Sequence, residues 1–71
     1  MPEQVPMVVV TKAFSAGSGW TVDRSVQYTR DLAALTAERY RLPLASMAHE
    51  VRQPAPDAQT WEVVVVLAVK Q

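Results

Sequence analysis

Alternate positions along the C-terminal stretch TWEVVVVLAVK, residues 60 to 70, are apolar on both sides of the strand they predict. One side carries Trp61, Val63, Val65, Leu67 and Val69, and the other Glu62, Val64, Val66, Ala68 and Lys70. A strand apolar on both sides needs cover on both sheet faces. Residues 5 to 14, VPMVVVTKAF, predict an earlier strand by the same Val density, with Pro6 at its start or on an edge because it lacks an N–H. Residues 44 to 52, LASMAHEVR, predict another, in which Ala45, Met47, His49 and Val51 alternate with Leu44, Ser46, Ala48, Glu50 and Arg52.

The pattern changes to a helical period between the first two strands. Residues 22 to 41, VDRSVQYTRDLAALTAERYR, follow Thr21 as N-cap, with Asp23 in the first turn and Arg39 and Arg41 near the end, where the helix dipole favours each charge. Pro43 closes the helix by disfavouring the α conformation at Leu42. At about 100° per residue, Val22, Val26, Ala33, Ala37 and Tyr40 share one stripe, and Tyr28, Leu32 and Leu35 a second. Ser25, Thr29 and Thr36 lie between them and are small enough for close approach to a sheet. Asp23, Arg24, Gln27, Arg30, Asp31, Glu38 and Arg41 make the opposite face polar, as expected of an amphipathic helix.

The order is therefore β-α-β-β in a single α+β domain spanning residues 1–71, with SAGSGW and QPAPDAQ as loops. A right-handed crossover makes strands one and two parallel, and strand three returns antiparallel and inserts between them. The expected fold is one helix packed on a three-stranded mixed sheet in the order 1-3-2. That arrangement shields the most apolar strand from edge exposure. One helix covers one face, which we expect to be that of Trp61, Val63, Val65, Leu67 and Val69. Val8, Val10, Val64, Val66 and Ala68 are then expected to form an interface with further copies of the chain, rimmed by Glu62 and Lys70.

Composition sharpens this picture. A chain of 71 residues forms one small domain and buries only about 60% of its unfolded surface. There are no cysteines, hence no disulfide or thiolate metal site, and small unstapled domains commonly gain stability by association. Seven basic and seven acidic residues cancel, which argues against nucleic-acid or anionic-membrane binding. The apolar run in MPEQVPMVVV is short for a signal or membrane segment, and a cytoplasmic location is expected.

Candidate chemistry is sparse. In GSGWT, Gly17 and Gly19 could turn backbone N–H groups toward an anion at the helix start, while Trp20 stacks on a flat ligand and Arg24 meets its charge. Trp61 is a candidate interface anchor or second stacking residue. His49, the single histidine, is expected to pack on its strand face, and no other metal ligand lies at a useful spacing. No Ser-His-Asp set, cysteine nucleophile or carboxylate pair can be assembled, so no catalytic residue or cofactor is assigned.

In element order and size the whole chain resembles the dodecins, small β-α-β-β proteins that form hollow assemblies and bind flavins. The resemblance implies a homo-oligomer holding a small aromatic or anionic ligand at subunit boundaries, without catalysis. It does not carry the flavin contacts over. The dodecin Trp near the start of the second strand has no counterpart in RLPLAS, and the dodecin Gln of the third strand falls near Glu62. Two alternatives remain: a protein–protein interaction or regulatory module with a different partner on the apolar face, and a small tautomerase. The second is suggested by the MP start, which would make Pro2 a terminal general base.

Overall fold

The computed structural model describes residues 6–70 of the chain. Strand β1 spans Met7–Ser15, helix α1 Val22–Arg39, strand β2 Leu44–Arg52 and strand β3 Thr60–Val69, with a 3-10 turn at Ala16–Ser18. The sheet order is β1-β3-β2, as the sequence predicts, with the Val-rich strand in the centre. Both edge strands pair antiparallel with β3. They therefore run in the same direction on either side of it, but because they never touch each other every neighbouring pair is antiparallel, and the sheet is antiparallel rather than the mixed one expected.

The register fixes the two faces. Val8, Val10 and Phe14 lie opposite Leu67, Val65 and Trp61, while Met47, His49 and Val51 lie opposite Leu67, Val65 and Val63. These residues share the side that α1 covers. The core there consists of Phe14, Ala33, Ala37, Trp61, Val63, Val65 and Leu67, with Val8, Val10, Met47 and Val51 packed against it. The expected orientation of β3 is the observed one.

The phase of β1 is not. Val8 and Val10, expected on the uncovered face, lie beneath the helix. Phe14 is buried beside Trp61, and counting back from it by twos puts Lys12, Val10 and Val8 on the same side. Because side chains alternate, one anchored aromatic sets the facing of the whole strand. Met7 and Val9 consequently take the uncovered positions, 65% and 57% exposed, opposite Ala68 and Val66.

Helix α1 reaches the sheet through its smallest residues. Ser25, Thr29, Ala33 and Ala37 are its buried positions, recurring every fourth residue along one stripe. The hydroxyls of Ser25 and Thr29 donate to the carbonyls of Val22 and Ser25, at 2.7 and 2.8 Å, so this polar pair is satisfied where it is buried. The bulkier Tyr28 and Leu35 stay largely exposed on the flank. Thr21 caps the start, its Oγ1 accepting from Arg24 N at 3.2 Å. The helix ends at Arg39. Arg41 takes a left-handed φ of 55°, Arg41 N donates to Glu38 O and Leu42 N donates to Ala37 O. This pair of bonds is a Schellman closure. Tyr40 thereby leaves the core stripe and is exposed.

Candidate functional site

The segment SAGSGW folds back on itself rather than opening as an anion cradle. Gly17 N donates to Ser15 Oγ at 3.2 Å, and Gly19 N donates to Ala16 O at 3.0 Å. Gly19 has a φ of 83°, a conformation that glycine adopts without strain. The N–H groups expected at Gly17 and Gly19 for a ligand are thus committed internally, which corrects that expectation. Arg24 N is bound to the cap, and the Arg24 guanidinium lies 5.9 Å from the centre of the Trp20 ring.

Trp20 belongs to an aromatic cluster at this end of the sheet. Its ring meets Phe14 edge-on at 4.7 Å between centroids and Tyr28 at 5.2 Å, and Phe14 stacks on Trp61 at 6.5 Å. Trp20 remains half-buried. Trp61, expected as an interface anchor or stacking residue, is a core residue instead. It is buried, and its Nε1 donates to Ser25 Oγ at 2.8 Å across the helix–sheet contact. The sequence places these partners 36 positions apart and offers no signal for their pairing.

Two shallow depressions meet at this end of the sheet, sharing Ala13 and Thr60. One, about 340 Å³, lies between the 3-10 turn and the aromatic cluster and is lined by Phe14, Ser15, Ser18 and Trp20. The other, about 470 Å³, lies at the border of the uncovered face, where Arg52, Gln53, Pro54 and Glu62 surround the rim of Trp61. Sequence reasoning did not single out Arg52 or Thr60. Arg52 Nε pairs with Glu50 Oε2 at 3.0 Å, and Glu62 lies across the strand pair from it.

The uncovered face itself is graded. At one end Met7, Val9, Val66, Ala68, Ser46 and Ala48 form an apolar and small-residue field; at the other, Glu50, Arg52 and Glu62 form a charged one. Val64 lies between Thr11 and Glu50 and is buried by its neighbours on this face, while Val66 and Ala68 are half-buried. His49 is exposed on the helix side, and Arg30 Nη1 donates to its Nδ1 at 2.8 Å, in place of the packed setting expected from its strand.

Among the described residues no three His, Asp or Glu side chains converge as metal ligands, and no helix is long and apolar enough to cross a membrane. Pro2 lies outside the described residues. No family model, curated protein or solved structure matches the chain.

Proposed function

We propose that the protein is a small homo-oligomeric, dodecin-like assembly that holds a small aromatic or anionic ligand where subunits meet, without catalysing a reaction on it. The observation that carries this reading is the uncovered sheet face, which no element of the chain covers and which presents an apolar field at Met7, Val9, Val66 and Ala68 bounded at one end by the charges of Glu50, Arg52 and Glu62.

The ligand reading draws on the two depressions. The larger borders the uncovered face at Ala13, Glu62 and Arg52, so a second copy packed there would wall it in. The Arg52 guanidinium supplies a cation for an acidic group, and the exposed part of Trp20 in the neighbouring hollow supplies an aromatic surface.

Val66→Glu tests the assembly. It places a carboxylate at the centre of the face without touching the helix-packed core, and burying it unpaired costs about 3–5 kcal/mol per interface. Light scattering is expected to show a smaller species than the wild type, and an unchanged mass would sink the proposal. For the ligand, flavin mononucleotide serves as the aromatic-anion probe. Saturable quenching of tryptophan fluorescence is expected, lost in Trp20→Ala while the assembly persists.

A further inference from the structure

We propose that the outer edge of β1 pairs antiparallel with β1 of a second copy, joining two three-stranded sheets into one of six strands. This deepens the reading of the chain as a self-associating protein and rests on it, but it uses the β1 edge and the helix flank beside it, meeting the uncovered sheet face only at Met7 and Val9.

The two sheet edges are built differently. A free edge offers a row of N–H and C=O groups, and proteins that keep an edge single blunt it with charges, prolines or bulges. The β2 edge is blunted: its register shifts between Leu44 and Ser46, and it carries His49, Glu50 and Arg52, with Arg30 reaching over from the helix. The β1 edge has none of these devices except one charge, Lys12. Its sequence MVVVTKAFS contains no proline, and its pairing with β3 runs from Met7 to Ser15 without a shift.

The side chains beside that edge are apolar above and below it. On the uncovered face stand Met7 and Val9. On the helix side stands the flank of Tyr28, Leu32 and Leu35, of which Leu35 is 61% exposed. That this flank overhangs β1 rather than β2 follows from two contacts. Tyr28 rests edge-on against Phe14 of β1 at 6.1 Å, and Arg30, on the opposite flank of the helix, reaches His49 of β2. Among the described residues, Tyr40 alone of the large exposed hydrophobics stands apart from this edge.

A second copy is the occupant that this arrangement fits. A two-fold axis through the sheet near Val9 and Val10 makes the two β1 strands antiparallel. It also brings each apolar flank against its own image, as an isologous contact requires. Lys12 lies away from that axis, so its charge does not meet its image directly. With the axis at Val10, Met7 to Ala13 pair with their images, seven residues at about 3.4 Å each or roughly 24 Å of edge.

Edge pairing and face pairing together generate an assembly of four chains or more, because each chain then has two partners. The test separates them by mass and by amide exchange on the full chain. Wild type is expected at four chains or more, Leu35→Arg at a smaller species held by the face alone, and Val66→Glu at a smaller species held by the edge alone. The double variant is expected to be monomeric. In the wild type every amide from Val8 to Ala13 is expected to be protected from exchange. A free edge would instead leave every second one fast, and that alternation would overturn the proposal. So would an unchanged mass in Leu35→Arg, whose exposed position leaves the fold intact by circular dichroism. An unchanged mass in Val66→Glu, with Leu35→Arg reduced to monomer, would overturn the face reading and leave the edge standing. A monomeric wild type would overturn both.

Discussion

The bond from Trp61 Nε1 to Ser25 Oγ is where one residue decides how the helix sits on the sheet. Indole nitrogen is a donor only, and in the core it has no water to turn to. Ser25 accepts from it and donates onward to the Val22 carbonyl, so one buried hydroxyl satisfies two groups. Ser25→Ala would leave the Trp61 N–H buried without an acceptor, at a cost of about 1–3 kcal/mol. Trp61→Phe in the same background should cost much less than it does alone, since the orphaned donor is gone. Denaturant unfolding of the four proteins in this cycle measures that coupling, and additive costs would mean that the bond carries no weight. His49 makes the contrasting case. Exposed and held only by Arg30, it should tolerate replacement by Gln within about 0.5 kcal/mol.

At the scale of elements, the strands and the helix start were legible because their signals are local. Alternating valines, the Thr21 cap and the prolines act within a few residues. Which stripe of the helix faces the sheet was less legible. Ser25 and Thr29, small enough for close approach, are buried as that reading implies, together with Ala33 and Ala37 of the first stripe, whereas Tyr28, Leu35 and Tyr40 of the two apolar stripes are exposed, since close approach to β3 leaves room for little beyond a methyl or hydroxyl group. The facing of Val8 and Val10 was lost for a similar reason. A run of three valines has no phase of its own, and only the burial of Phe14 against Trp61 supplies one. The Gly17 and Gly19 amides could not be read either, because their acceptors Ser15 and Ala16 also lie within the loop and compete with any ligand. The helix end yields a prediction of its own. Arg41 takes the left-handed position of the Schellman closure, where a side chain costs about 1–2 kcal/mol that glycine avoids. Glycine also loses more backbone freedom on folding, by about 0.5–1 kcal/mol. Arg41→Gly should therefore stabilise the protein by about 0.5–1 kcal/mol, read as a higher unfolding midpoint at unchanged denaturant slope.

At the scale of the whole molecule, one helix on three strands makes a thin body, with Cα extents of 44 × 27 × 13 Å. Such a slab has one interior layer, and every apolar residue outside it depends on a partner. Met7, Val9, Val66 and Leu35 belong to that outer set, and they are wholly or partly exposed in the single chain. If association covers them, folding and assembly are one equilibrium, and stability depends on protein concentration. For a pair of chains unfolding together, each tenfold rise in concentration adds about 1.4 kcal/mol per pair. Spread over the unfolding entropy of two chains of this length, that raises the midpoint by roughly 5 °C. Thermal melts across a hundredfold concentration range should accordingly shift upward by about 10 °C or more, the pair being the smallest assembly. The monomeric Val66→Glu, Leu35→Arg double variant should melt lower and show no such shift. A wild-type midpoint independent of concentration would mean that the 71 residues stabilise themselves through the single core described above, with the second sheet face left in water.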